Sequence, residues 1–590
     1  MAATAAALAP SRVAVRGDAV GARPAPRALA ATKTRRRANR VARCAIADPP
    51  AGVEASPVPA TEGVGRKKVV VLGSGWGAIS FVKSLNETSA YDVVLVSPRN
   101  YFLYTPLLPG AATGAVEERS IVEPIRRPIA EKGYKYYEAS CEDVDAARKT
   151  IVCRAADPTF ECNEDSDACP WHTFEVEYDY LVTAVGAVPN TFGVPGVEEH
   201  AMFFKEIVHA NKFRREVNER FERATLPDVP EERLKELLSF VIIGAGPTGV
   251  ELAAELYDMV FEDIARMYPS RLMPHVSIKI VDLQEKILSA YDRRIAEYAT
   301  EFFQRANIEC LLNKQVAEVK DGAVVMKDKF TGELEEVPAG LAVWCSGIKL
   351  NPLCEKIMDS LPSGAQENRR SLATDKNLRV KGSNGTIFAI GDCATIERPR
   401  SMEKALDLYR GAAKCDEDGV CEITLDKATV KAALVGGVAE FPHLEEVVNN
   451  IDAVFSTHAD EKTGRCSFEG FKAMLTEVDN GLRALPATAQ VAKQEGEYLA
   501  AFFNACDGDA ERLAGDESKF DYVHKGSLAY IGKDSAVADI PGFTIVKGIA
   551  AGIIWKSFET ISQVSTRNIF LVAADMVRTK IFGRDISRMP

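Results

Sequence analysis

Apolar residues along this chain gather into short runs closed by glycines, after which apolar positions recur three and four apart. That is the pattern of a strand, a tight turn and a helix. The first such run, KKVVVL at 67–72, ends in GSGWGA at 73–78, and a second strand is expected to close the unit at Val96. The design returns in FVIIGAGPTGVELAAEL at 240–256, followed by the strand VSIKIVDL at 276–283. Two further strand-and-turn pieces read at YDYLVTAVGAVPN (178–190) and TIFAIGDCA (386–394). Strands alternating with helices predict an α/β chain with two Rossmann-like dinucleotide-binding domains.

Helical spacing takes over elsewhere. Residues 199–223 are rich in charge and read as one surface helix. Two helix-loop-helix patterns fill 403–480, with loops at 416–427 and 459–470 and a core expected from Leu406, Leu408, Phe455, Phe468, Phe471 and Leu475. In TAQVAKQEG (488–496), Gln490 and Gln494 stand four apart and share a helix face. Residues 542–583 place Ile569, Val572, Ala573 and Met576 at helical spacing beside Arg567, Arg578, Lys580 and Arg584. A basic, apolar tail fits an amphipathic helix lying in a membrane interface, with Trp555 and Phe558 as anchors. The pattern alone allows a dimer interface or a core helix as often.

Composition adjusts this picture in three places. At 590 residues the chain exceeds one core, and its 46% hydrophobic and 26% charged content is that of a globular protein. No apolar stretch approaches the ~20 residues of a membrane-spanning helix. The net charge of −12 is uneven: residues 1–44 hold ten Lys or Arg against Asp18 alone, a local +9. An alanine- and arginine-rich start with almost no acid is the composition of an organelle transit peptide. VARC at 41–44 resembles a plastid processing site, and mitochondrial presequences share the composition, so both organelles stay open. A basic arm for nucleic acid is the weaker reading, and no nucleic-acid partner is expected. Thirteen cysteines include no CxxC pair, and reduced packing thiols are expected. Cys162 and Cys169 flank an acidic stretch at a spacing that fits no common zinc pattern, and no metal site is assigned.

The glycines carry the candidate chemistry. Gly73 permits the tight turn, Gly75 and Gly77 keep the backbone bare for a pyrophosphate, and Ala78 lets the helix pack on the strand with its N-terminus aimed at phosphate. Gly244, Gly246 and Gly249 repeat these roles in the second unit. Asp282, at the end of its second strand, suits ribose hydroxyls and repels a 2′-phosphate, which favours NADH over NADPH; Lys279 and Lys286 nearby weaken that preference.

The two glycine units, the TIFAIGDCA turn, SPRNYFLYTPLLP (97–109) and PATAQVAKQEGEYLA (486–500) together resemble the type II NADH dehydrogenases, closest to the plant and fungal branch with an EF-hand insert. The resemblance implies FAD in the first site, NADH in the second and a quinone in the membrane as acceptor, without proton pumping. It implies that Ser97, Arg99 and Asn100 hold the adenosine end of FAD, that Gly186 lies at a close backbone approach, and that Gly391 and Asp392 serve the ribityl chain. Ser346 and Gly347 would lie beneath the nicotinamide, and Glu251 beside it, positioning NADH or relaying a proton. Ala489, Gln490 and Gln494 would border the flavin where quinone arrives, with Lys493 as proton donor.

The resemblance also brings an expectation of calcium, and the residues oppose it. A calcium loop wants glycine at position six and glutamate at twelve. The first loop offers Asp416 and Asp418 but Val420, Cys421 and Lys427 at five, six and twelve; the second keeps Gly464 between Ala459 and Gly470. A degenerate EF-hand pair without calcium is expected.

The domain order expected is transit peptide 1–44, linker 45–66, FAD domain 67–196 and 356–402, NADH domain 197–355, insert 403–480, FAD and quinone segment 481–541, and membrane-associating region 542–590. A homodimer stays open. The alternatives are a soluble reductase of another acceptor, though residues 76–86 carry no redox cysteine pair, and a non-catalytic NADH-binding interaction module.

Overall fold

A computed structural model of the chain describes residues 66–590 except 88–89, 157–172, 398–399, 413–423, 439–440, 442, 461, 482–483, 516–517, 542–545 and 587–590. The expected transit peptide, nearly all of the linker, the stretch from Cys162 to Cys169 and Asp416 to Cys421 lie outside the described residues.

Val69, Val70 and Val71 are fully buried, because the strand Lys67–Leu72 sits inside a sheet covered on both faces. The seven strands run in the order Ile387–Ala389, Tyr180–Thr183, Lys67–Leu72, Tyr91–Ser97, Lys135–Asp145, Thr150–Ala155 and Thr173–Glu177. The first five pair in parallel, and the last two fold back antiparallel. Chain that leaves after Thr183 thus returns two hundred residues later to lay Ile387–Ala389 on the same sheet. The second unit is a five-stranded parallel sheet in the order Ala201–Phe203, Leu341–Trp344, Ser239–Ile243, Ser277–Val281 and Ile308–Leu311.

The surface helix expected at 199–223 is interrupted. Ala201–Phe203 forms the edge strand against Leu341–Trp344, and the helix starts only at Ile207, where Glu206 and His209 make a reciprocal cap. The apolar triplet Ala-Met-Phe gains more by pairing on a sheet than by continuing a charged helix.

The helix Ala489–Cys506 packs on Trp76–Ser84, the helix that leaves the first glycine turn. Contact is so close that a Cβ on Gly496 would stand 2.4 Å from the Gly77 carbonyl oxygen. Phe503 then meets Phe81, Tyr91, Tyr180 and Phe388 at ring separations of 5.1 to 5.7 Å.

Residues 403–480 build their own core from Leu425, Val430, Leu434, Phe441, Leu444, Phe471, Met474 and Leu475. Phe455 is buried there as well, Leu408 and Phe468 are half-buried, and Leu406, expected inside, is 44% exposed. Two short strands, Thr424–Leu425 and Cys466–Ser467, pair antiparallel with Leu425 opposite Cys466. Asp426 and Ser467 each cap the following helix, accepting Thr429 N–H and Gly470 N–H. Asp426 and Ser467 thus hold matched positions ahead of their helices.

The C-terminal helices are Ile549–Ile561 and Thr566–Phe582. Trp555 does not point outward: it is buried and stacks on Tyr530 at 5.0 Å. Val572 is also buried, and Ile569, Ala573 and Met576 are partly covered. Phe558, the other expected anchor, does face outward, together with Ile549, Ile553, Ile554, Ile561, Phe570, Val577, Ile581 and Phe582. Among the described residues no helix is long and apolar enough to cross a membrane.

Candidate functional site

A cavity of about 650 Å³ opens over the first glycine turn, and the second unit reaches it through Thr248 and residues 344–347. Its walls include residues 73–77, Ser97, Arg99, Gly186, Thr248, 345–347, Gly391, Asp392, and Thr488, Ala489 and Ala492.

The first turn fits a dinucleotide. Gly73 has φ +107, and a Cβ there would meet the Ala184 carbonyl at 2.3 Å; Gly75 and Gly186 have nothing within 4 Å of a built Cβ. One glycine is thus demanded by the fold and two keep backbone bare toward open space, which is where a pyrophosphate or flavin ring needs room. Ser97 is buried and donates to Ser74 Oγ at 3.0 Å while accepting Arg99 N–H. The Arg99 guanidinium is paired with Glu206 across the cavity mouth, so its charge is already engaged. Asn100 does not reach the cavity: it is exposed, and its carbonyl accepts Ile125 N–H. Ala78 is buried behind the turn.

In the second turn, a Cβ on Gly249 would stand 1.9 Å from the Gly244 carbonyl, and one on Gly244 would press on Cys345 and Ser346. Gly246 is open. Asp282 holds this loop, its Oδ2 accepting Ala245 N–H at 2.6 Å and its Oδ1 accepting Gln284 N–H at 2.8 Å. Lys279 pairs with Glu309 and Lys286 lies near Glu285 and Glu297, so both cations near Asp282 are answered locally. Ser346 and Gly347 line the cavity beside Trp344, whose indole N–H donates to Asn190 O.

Asp392 also lines the cavity, with Lys205 4.0 Å away and its carboxyl pushed up by burial. Glu251 lies behind the wall. It is buried, accepts Tyr530 N–H at 3.2 Å, and is raised well above the carboxylate range by burial and then by the Glu559 charge. Glu559 in turn accepts Tyr104 OH at 2.8 Å, and burial pushes it up to about 7.

Gln490 and Gln494 do share a helix face, and both amides are occupied. Gln490 spans Gly526 O and Lys525 N–H, and Gln494 spans Val523 O and Val523 N–H. They pin the segment 522–526 against the helix rather than pointing bare amides at the cavity. Lys493 is half-exposed beside Glu497 at 3.9 Å and does not line it. Sequence reasoning missed Trp76, Thr488, Lys205 and Glu495; only Thr488, the N-cap of its helix, left a local signal.

A glycine turn in each of two parallel sheets, with a cavity that draws its walls from both units, defines a two-dinucleotide-binding oxidoreductase. Residues 67–408 match the family described as Pyridine nucleotide-disulphide oxidoreductase, and 524–585 match the NDH2 C-terminal domain. Within that class the chain belongs to the type II NADH dehydrogenases. It is 39% identical over 541 residues to the mitochondrial external alternative NAD(P)H-ubiquinone oxidoreductase B1 of Solanum tuberosum, covering 89% of this chain and 91% of that one. It is 40% identical to the Arabidopsis thaliana B4 enzyme, over 88% of this chain and 89% of that one. The structure of NDH2 from Plasmodium falciparum in complex with NADH superposes with a TM-score of 0.74 at 30% identity, covering 89% of this chain and all of that one.

Proposed function

We propose that this chain transfers a hydride from NADH to FAD and then an electron pair to a membrane quinone, without pumping protons. The observation that carries it is one cavity lined by the first glycine turn and, from the second unit, by Thr248 and residues 344–347, in a chain whose relatives are NAD(P)H-ubiquinone oxidoreductases. FAD, when bound, supplies the two-electron carrier between nicotinamide and quinone. The chain supplies placement. Gly75 and Gly186 leave bare backbone for FAD, Asp392 offers a carboxylate to its hydroxyls, and Ser346 and Gly347 face the nicotinamide side. Glu251 is a buried carboxyl behind the Thr248 wall, suited to holding a proton. Ala489 and Ala492 give the quinone side small, water-poor walls.

The reading places the protein peripherally on the inner membrane of the mitochondrion, the organelle named for its relatives. The outward apolar residues of the two C-terminal helices form the docking ridge. Their basic neighbours contribute little, since Arg578 pairs with Glu117, Lys580 with Asp534, and Arg584 is buried against Asp263 and Glu255.

The insert is read as an EF-hand-like pair closed without calcium. With Gly464 (φ +62) at position six, position seven is Arg465; its counterpart in the first loop is Thr424. Arg465 donates from Nη2 to Thr424 O at 2.6 Å and from Nε to Thr424 Oγ1 at 2.9 Å. That carbonyl is the position-seven backbone ligand in a calcium loop, so a guanidinium stands where a cation would draw on it. Aligning the caps Asp426 and Ser467 puts Thr429 and Gly470 at position twelve, neither a carboxylate, and leaves Lys427 paired with Asp452. The residues do not fit calcium.

One assay tests the central reading: NADH oxidation by the purified chain with a short-chain quinone, with disulfide acceptors, and with neither. Turnover with quinone alone supports it; turnover only with disulfides, or none with any acceptor, refutes it.

A further inference from the structure

Under the cavity floor lies a carboxylate that the reaction as described leaves unused. Glu495 follows Ala492 by one turn on the helix Ala489–Cys506 and is 4% exposed. Its Oε2 accepts the backbone N–H of Gly391 at 2.6 Å. Gly391 has φ +76, and its bare α-carbon faces Ala492, so the turn is drawn onto the helix at a glycine. The next residue is Asp392, on the cavity wall. Two carboxyl groups therefore flank one backbone turn in a poorly solvated place, where ionising both is costly. Burial raises Glu495 to about 7, the Gly391 N–H opposes it, and the Asp392 charge adds to it.

The other titratable groups around Glu495 have their own partners. Lys205 answers Asp392 across the cavity, and Cys393 donates to the carbonyls of Thr183 and Ile390. Lys83, on the helix packed opposite, donates to Val564 O. On its own helix Lys493 lies beside Glu497, and Tyr498 meets Asn377 and Ser518.

We propose that Glu495 is a positioning residue for the flavin: it holds the Gly391 and Asp392 turn to the helix and, by taking one proton as an electron pair arrives, couples the electron load of the cavity to pH. The balance is NADH + H⁺ + Q giving NAD⁺ + QH₂. The nicotinamide C–H bond breaks to give one hydrogen nucleus and both electrons, and the second hydrogen nucleus enters as a proton. Negative charge reaching the cavity favours the neutral form of Glu495, which takes that proton from solvent. Glu495 releases it when the electron pair leaves for the quinone, whose oxygen binds it.

This inference rests on the flavin reading, and its test separates the two. Glu495→Gln keeps a carbonyl oxygen that accepts Gly391 N–H and removes the titrating group; Glu495→Leu removes both. The readouts are flavin retention and the flavin midpoint potential against pH in the full-length holoenzyme. Above about pH 7, where Glu495 is ionised before the electron pair arrives, the wild-type potential should fall more steeply than that of E495Q by one proton per electron pair, ~30 mV per pH unit. E495Q should keep its flavin, and E495L should lose at least about tenfold in flavin affinity, ~1.4 kcal/mol. Equal slopes in wild type and E495Q overturn the proton coupling, and wild-type flavin affinity in E495L overturns the holding role. A wild-type protein that takes no flavin refutes the flavin reading itself.

Discussion

Gly496 is the tightest test of how this fold presents its cofactor site. A Cβ built there lies 2.4 Å from Gly77 O, 2.9 Å from Ser80 Cβ and 3.0 Å from Phe81 N. Ordinary contact begins near 3.4 Å, so Gly496→Ala forces the two helices apart by about 1 Å, since backbone lies on the opposing side and no rotamer relieves it. Overpacking of this kind costs ~1–3 kcal/mol. The strain falls on the elements that carry Gly77, Ala492 and the Glu495 bond to Gly391, all at the cavity. Converted at 1.4 kcal/mol per tenfold, the flavin dissociation constant should rise by roughly 5- to 150-fold. Flavin fluorescence released on dilution measures it, with circular dichroism to confirm that the helices remain. A variant that retains flavin as wild type does would show that this helix contact does not shape the site.

Four further outcomes are expected. Asp282→Asn should narrow the preference for NADH over NADPH by about tenfold in kcat/KM, ~1.4 kcal/mol; an unchanged ratio would leave Asp282 only its clamp on Ala245. Arg465→Gln should lower the full chain's thermal midpoint by a few degrees by removing both bonds to Thr424, and millimolar calcium should not restore it; restoration by calcium would contradict the guanidinium closure. Binding to vesicles should resist high salt, because Arg578, Lys580 and Arg584 are internally paired, whereas Phe570→Glu with Phe582→Glu should abolish it. Glu559, raised from 4.5 to about 7 in the fold, binds more protons folded than unfolded in that window, so stability falls as pH rises through it. Glu559→Gln should remove up to ~3 kcal/mol of that slope between about pH 4.5 and 7, read from urea midpoints, and an unaltered pH profile would count against it.

The glycine turns were legible because their spacing encodes backbone constraint: Gly73 and Gly249 fail sterically with any side chain, and sequence alone marks where such constraint recurs. The alternation of strand and helix likewise exposed both sheets. Faces were harder. Trp555 reads as an anchor by composition, yet Tyr530 arrives from a distant hairpin to stack on it, and no local pattern announces that partner. The amides of Gln490 and Gln494 do share one helix face, but it meets the segment 522–526 rather than the cavity. Loop register in the insert lacks calcium ligands as landmarks, and the matched caps at Asp426 and Ser467 offer an alignment that local spacing does not. Glu495 stayed invisible for the same reason as Glu559: a carboxylate amid helix-forming residues looks solvated until the fold buries it.

The most direct test is anaerobic absorbance of the purified full-length chain. The account predicts a yellow protein whose flavin band bleaches on one equivalent of NADH and returns on adding a quinone. A colourless protein, or a bleached one that quinone leaves reduced, would contradict it.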